Sequence, residues 1–265
     1  MALKAPFSVT TIKGLPLLAP GVNFSHLPSN KRSRIMCGAF AEGCGGQTIS
    51  LKMWFDLWKK NQNPPKVAIY GVLYGAYMVI ENSPNYWHID HGYFKRSKNP
   101  DIFKGYYRIN KNSLWNNGSG DSNWDRFNSL NIKLKDWRKT GNHIVIVPPS
   151  KHMTPVLNME TWLEETIFKV KKYTDRKILV STKYKNPMSE VMKNAWAVIT
   201  DHSNSAIDAM IEGIPAIFTN PARRLGSIEQ IEDPPMDRDF FKNLAHQQWT
   251  LEEIKTGKAW LDLNG

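Results

Sequence analysis

Two short stretches of this 265-residue chain concentrate side chains that can do chemistry. In VITDHSNSAIDAMIEGIPAIF, residues 198–218, five small polar residues stand between an apolar run and an amphipathic one: Asp201, His202, Ser203, Asn204 and Ser205. The pattern reads as strand, polar turn, helix, strand. In an open α/β sheet such a turn lies beyond the C-terminal end of its strand, where ligands bind. The helix that follows aims unpaired N–H groups and its positive dipole end at that place, and Ser203 and Ser205 add hydroxyls, so a phosphate is the ligand it suits. Ordinary helix capping by Asp201 or Ser203 uses the same residues. The second stretch is YWHIDHGYFKR, residues 86–96, in which His88, Asp90 and His91 fall at a predicted strand end, followed by Tyr93, Lys95 and Arg96. On an extended strand His88 and Asp90 share a face and His91 takes the other, so Asp90 can act directly in proton transfer or can orient His88. A turn could converge the three on a metal, but no further ligand is evident and no metal site is assigned.

Two more places bear on these. CGAFAEGCGGQT, residues 37–48, carries Gly43, Gly45 and Gly46, which permit close backbone approach, and Glu42, a second carboxylate able to serve as a base. It lacks the Lys-Ser/Thr ending of a P-loop. Lys183 and Lys185 leave the apolar run KILV two residues apart, on one side of an extended chain, where they can neutralise phosphates.

The elements that must position these residues alternate. RIMCGAF reads as a strand, TISLKMWFDLWKKNQ as a helix with Ile49, Met53, Trp54, Leu57 and Trp58 on one face, and KVAIYGV as a strand. LYGAYMVIENS reads as a helix, and YWHIDHGYF and GYYRINKN as strands. After the Asn/Ser/Gly-rich seam NSLWNNGSGDSNWDRFNSLN, HIVIVPPS is a buried strand and NMETWLEETIFKVKKYT a helix capped by Asn158. KILVSTK, AWAVIT and PAIF supply further strands, with helices around residues 189–194 and 203–212. Strands alternating with helices predict two parallel sheets, each covered on both faces. The expected organisation is an irregular N-terminal arm over residues 1–33, an α/β domain over 34–130, a second over 131–235, and a helical tail, 236–265, returning to the first domain.

The run ITDHSNSAIDAMIEGIPAI resembles the D-x-S-S-x-x-x-E-A-x-x-x-G-x-P pattern in the nucleotide-binding segment of GT-B glycosyltransferases, the capsule- and teichoic-acid-type enzymes among them. The resemblance covers roughly residues 143–220. It implies two Rossmann-like domains facing each other, with Ser203, Asn204 and Ser205 on the diphosphate of a nucleotide-sugar donor and Asp208 at the ribose. Asp208 stands where the family usually has Glu, which shortens the reach; Gly213 and Pro215 would belong to the return turn. The blocks Y-x-x-I-D-x-x-Y-F and L-A-x-x-Q-x-T-L-x-E-I-x-x-G are also similar to small phage-type proteins. On this reading Asp90 is the first choice for the base that deprotonates the acceptor hydroxyl, with His88 or Glu42 as alternatives, Lys183 and Lys185 face the donor phosphates, and His91, Tyr93, Lys95 and Arg96 belong to the acceptor side. No tightly bound cofactor is expected, the nucleotide sugar being a co-substrate.

Charge points to the acceptor. The chain has 35 Lys and Arg against 24 Asp and Glu, but residues 201–265 hold 6 against 11, leaving 29 against 13 in residues 1–200. The first part is near +16 and the remainder near −5, a bias that favours a polyanion such as nucleic acid. The expected acceptor is therefore DNA carrying hydroxymethylated bases. The alternatives are a surface polysaccharide or teichoic-acid-like acceptor, nucleotide-sugar epimerisation, or a non-catalytic nucleic-acid-binding protein. No apolar run is long enough to span a bilayer, and the two cysteines, Cys37 and Cys44, indicate neither a disulfide framework nor a zinc site. A cytoplasmic location is expected, the host's if the chain is phage-encoded.

Overall fold

The structure, a computed structural model, describes residues 10–13, 28–72, 75–97, 101–116, 122–151, 153–182, 186–221 and 225–264. In chain order its elements are β1 (Thr10–Lys13), α1 (Pro28–Cys44), β2 (Gln47–Ser50), α2 (Leu51–Lys59), β3 (Lys66–Tyr70), α3 (Ala76–Glu81), β4 (Asn85–His91) and β5 (Tyr106–Lys111). Then come α4 (Asp125–Ser129), β6 (His143–Val147), α5 (Trp162–Val170), β7 (Lys177–Val180), α6 (Met188–Val191), β8 (Ala195–Thr200), α7 (Asn204–Ile211) and β9 (Ala216–Phe218). A 3₁₀ turn (Ile228–Gln230), α8 (Phe240–His246), β10 (Gln248–Thr250), α9 (Leu251–Lys255) and α10 (Lys258–Asn264) complete the chain. Two compact units result, Met1–Leu114 with Ala245–Gly265, and Trp115–Leu244; the sequence placed these seams at 130/131 and 235/236. The fold is α/β, and among the described residues no helix is long and apolar enough to cross a membrane.

The first unit holds a six-stranded mixed sheet in the order β10-β5-β4-β3-β1-β2. Its strands β1 to β4 are parallel, while β5 runs antiparallel to β4, and β10 antiparallel to β5. The second unit holds a four-stranded, wholly parallel sheet in the order β7-β6-β8-β9. The parallel parts share one plan. In each, the first strand lies between the second and the third, and the fourth lies beyond the third. The chain thus reverses its winding beside the first strand, opening a crevice at the C-terminal ends of the first and third strands.

Apolar runs explain the sheets. HIVIV, AWAVIT and AIF are buried almost throughout because helices cover both faces of a parallel sheet. Ile144, Ile146, Ala197, Ile199 and Ile217 pack against Val170 of α5 and against Ile228 and Ile231. In the first unit, one face of the sheet packs Ala68, Trp87, Ile89, Tyr107, Ile109 and Trp249 against Met36, Ala39 and Phe40 of α1. The other packs Ile49, Val67 and Ile69 against Trp54 and Phe55 of α2 and Val79 of α3. Each fully buried large apolar side chain contributes about 1.5–3 kcal/mol.

Four local expectations are corrected. RIMCGAF lies within α1 and is helical: Ser33, Met36, Cys37, Phe40, Ala41 and Cys44 are buried, a three-then-one spacing that marks one face of a helix. The arm expected over 1–33 is irregular neither at Thr10–Lys13, which forms the strand between β2 and β3, nor from Pro28 onward, where α1 begins. Glycine at position 43, inside that helix, is demanded by the returning tail, since a Cβ there would lie 2.1 Å from the Ile254 carbonyl oxygen. Finally, Asn158 does not cap α5: it has φ +52°, and Thr161 precedes the helix. Ser50 caps α2, its hydroxyl accepting from the Met53 N–H at 3.0 Å, so Ile49 belongs to β2.

Candidate functional site

In the second unit the polar turn follows β8, on the crevice between β6 and β8. Thr200, the last residue of β8, donates its hydroxyl to the Val147 carbonyl at the end of β6 (2.7 Å) and accepts the Ser203 N–H (3.3 Å). Asp201 is buried, 4% exposed. Its Oδ2 accepts from His202 Nδ1 (2.6 Å) and Asn220 Nδ2 (2.9 Å), and its Oδ1 from the Thr219 hydroxyl (3.4 Å). Thr219 Oγ1 in turn accepts from Trp162 Nε1 at 3.1 Å, and the Asn220 N–H donates to the Asp201 carbonyl. One carboxylate therefore ties the turn to the segment leaving β9. Burial pushes the Asp201 carboxyl up, but the hydrogen bonds from His202, Asn220 and Thr219 and the charge of His202 outweigh it, leaving the group below its ordinary value.

This arrangement sets the state of His202. With Nδ1 donating to Asp201, the ring presents Nε2 as its other working nitrogen, and no hydrogen bond engages Nε2 among the described residues. The imidazole lies against the Trp115 ring, centroids 3.9 Å apart and planes 33° apart, which fixes its orientation. Ser203 then caps α7 with its hydroxyl accepting the Ser205 N–H (3.2 Å). Asn204 and Asp208, four residues apart, share a face of α7 and are half-buried, as are Ser203 and Ser205. Gly213, with φ +82°, makes the return turn, where a Cβ would lie 2.0 Å from the Asp136 carbonyl oxygen.

In the first unit the second stretch forms β4, and the predicted alternation holds. His88 and Asp90 face one side of the sheet, while His91 shares the α1 side with Trp87 and Ile89. Asp90 Oδ2 accepts from Arg108 Nη2 on β5 at 2.9 Å, and its Oδ1 accepts the His91 N–H at 2.7 Å. Burial again pushes this carboxyl up, yet Arg108 first, then His88, His91 and the His91 N–H, bring it below its ordinary value. A carboxylate held as the anion in this way is a weak base. Burial pulls His88 down to about 4, against a rise from Asp90, a further lowering from Arg108 and a rise from the nearby Leu114 carbonyl. His91 is also lowered, by burial and, against the pull of Asp90, by Arg32, Arg108 and Arg96. Arg32 of α1 donates Nη1 to His91 Nε2 at 3.0 Å, which puts the His91 proton on Nδ1.

The remaining predicted residues separate. Tyr93 is buried beneath the Arg108 guanidinium, 5.4 Å from the ring centroid, and its N–H donates to Gln248 Oε1. Arg96 donates to the Tyr93 carbonyl at 3.1 Å, and Lys95 occupies a turn at φ +42° with its carbonyl accepting the Tyr106 N–H. Glu42 is not brought to this cluster. It lies ten residues beyond Arg32 on α1, about 15 Å along the axis, exposed and ion-paired with Lys255 at 3.7 Å. Lys183 and Lys185 lie outside the described residues. His88 and Asp90 face away from His91, so the three do not converge on one ion.

Sequence reasoning did not single out Trp115, Thr219, Asn220, Arg108 or Gln248, all of which arrive from distant segments; the Asp201–His202 adjacency was the one signal available. Comparison with models of known families, with curated proteins and with solved structures finds no match to the chain.

Proposed function

We propose that the chain is a nucleotide-sugar-dependent glycosyltransferase with two Rossmann-like domains, resembling the GT-B enzymes, and that the donor diphosphate binds over the turn 201–205. The observation that supports this is the Asp201–His202 pair at the N-terminus of α7, on the crevice where the strand order of the second sheet reverses. The N–H groups of the first turn of α7 and the hydroxyls of Ser203 and Ser205 would hold the diphosphate, and Asp208 would approach the ribose. As the acceptor oxygen bonds to the anomeric carbon, its hydroxyl proton leaves to water, the bond from sugar to phosphate breaks, and negative charge grows on the leaving diphosphate oxygen. A protonated His202, anchored through Nδ1 to Asp201, would donate Nε2–H to that oxygen and stabilise it without reorganising. For the acceptor, the charge of residues 1–200 favours a polyanion, and we propose DNA with hydroxyl-bearing bases. Asp90, held by Arg108, serves this scheme better as a fixed anion than as the proton acceptor.

Calorimetric titration with a panel of uridine, guanosine, thymidine and cytidine nucleotide sugars tests the donor site. At least one is expected to bind, and to bind at least tenfold more weakly to His202→Ala. Absence of binding by the whole panel, or equal binding by the variant, overturns the reading. Mass spectrometry of hydroxymethylated DNA incubated with the donor that binds then tests the acceptor.

A further inference from the structure

The side of the first sheet that carries His88 also carries a polar layer. Strand register sets His88 opposite Asn110, and Asp90 opposite Arg108, which is itself opposite Gln248 on β10. Two rows of polar side chains thus lie on one face across three paired strands. The other face of the same strands is packed with Trp87, Ile89, Tyr107, Ile109 and Trp249.

His88, Arg108 and Asn110 are 2%, 5% and 5% exposed, yet their hydrogen bonding is incomplete. Neither ring nitrogen of His88 meets hydrogen-bonding geometry, although the Leu114 carbonyl lies close enough to raise its pKa, and neither Arg108 Nε nor Asn110 Oδ1 has a partner. Asn110 spends its amide on the Leu114 carbonyl at 3.2 Å, and Arg108 spends one terminal nitrogen on Asp90. Buried polar atoms in folded proteins almost always have partners, and each one left without costs about 1–3 kcal/mol. Four such atoms on three neighbouring residues call for a common explanation. The Asp90 carboxylate in the same layer is 31% exposed, so the layer reaches solvent at that end.

The unmet atoms define what would complete them. Arg108 Nε–H and the protonated nitrogen of His88 are donors; Asn110 Oδ1 and the other His88 nitrogen are acceptors. The Arg108 charge is already balanced by Asp90, and the two acceptors lie on the same face of the sheet as the guanidinium, so an anion is disfavoured. A cation would meet the guanidinium. Hydroxyl groups, each both donor and acceptor, match all four. We infer that the His88–Arg108–Asn110 layer is a binding site for a neutral, hydroxyl-rich small molecule of the sugar or polyol class. The inference does not rest on the transferase reading, because it uses no residue of the turn 201–205.

Saturation-transfer NMR with glucose, galactose, N-acetylglucosamine and maltose at millimolar concentration tests it on the full chain. At least one sugar should receive saturation from the wild-type protein, and His88→Leu and Asn110→Leu should weaken that binding at least tenfold while melting no lower than wild type. With ¹⁵N-histidine-labelled wild-type protein, the same sugar should shift the His88 ring resonances, a readout that stands even if a leucine variant fails to fold. Saturation transfer to none of the four sugars, transfer retained by both variants, or His88 resonances that do not move would each overturn the inference and leave ordered water as the partner of these atoms.

Discussion

Acidifying the protein from pH 7 towards pH 4 should destabilise it through His88. Buried in the first sheet, this imidazole titrates at about 4 in the folded chain against an ordinary value of 6.5. Between those values the unfolded chain binds a proton that the folded chain refuses, so stability falls as pH drops below 6.5 and levels off near 4, whereas above 6.5 the group contributes no pH dependence. One pKa unit is 1.36 kcal/mol, so the window is worth about 3 kcal/mol. His91 is shifted in the same direction, and the carboxyls of Asp90 and Asp201 lose their stabilising contribution only at lower pH, as it falls through values below 3.8. The comparison of wild type with His88→Leu therefore isolates the one residue. Urea denaturation followed by tryptophan fluorescence at pH 7, 5.5 and 4.5 should show wild type losing about 2 kcal/mol more than the variant over that part of the window, and the His88 ring protons should titrate well below 6. Parallel loss in both proteins, or a His88 titration near 6.5, would refute the burial argument.

Ser203→Ala combined with Ser205→Ala should weaken nucleotide-sugar binding at least tenfold by calorimetry with an unchanged far-ultraviolet spectrum, since a hydrogen bond to a charged group is worth about 1.5–3 kcal/mol; unchanged affinity would remove the donor from this turn. Asp201→Asn should lower the melting temperature, because it removes the charge that holds His202 Nδ1–H and exchanges an acceptor for a donor facing Asn220; an unchanged melting temperature would mean the carboxylate does not anchor the turn. Gly43→Ala should cost about 1–3 kcal/mol by denaturation, as the new methyl would displace the Ile254 carbonyl and loosen α9; a neutral effect would mean the tail shifts freely. Binding to double-stranded DNA should weaken with salt at a log–log slope of about −0.9 per phosphate contacted, and Lys95→Glu should make that slope shallower without changing donor affinity; a salt-independent interaction would argue against DNA.

What could be read from the sequence was local. HIVIV, KILV, AWAVIT and AIF are strands in the fold because a parallel sheet covered on both faces needs continuous apolar runs, and such runs stand out in a sequence. The turn Asp201–Ser205 was visible for the same reason, its polarity set between one of those runs and the amphipathic helix α7. RIMCGAF misled because seven residues show no period: only the longer spacing from Ser33 to Cys44 separates a helix from a strand, and the interior glycines lower helix propensity. Gly43 is tolerated there for a contact made by Ile254, far along the chain. The chemical states of the candidate residues were illegible on the same ground. Asp90 looked like a base because its neighbours in sequence are imidazoles and a tyrosine. Its strongest partner, Arg108, comes from an adjacent strand whose direction and register no local pattern specified. Asp201, by contrast, lies next to the His202 it orients, yet its anchoring needs Asn220 and Thr219, which reach it only because β9 lies beside β8. A residue's type and spacing announce where chemistry can occur; whether a carboxylate there is a base, an anchor or half of an ion pair is decided by cross-strand neighbours, and those follow from topology.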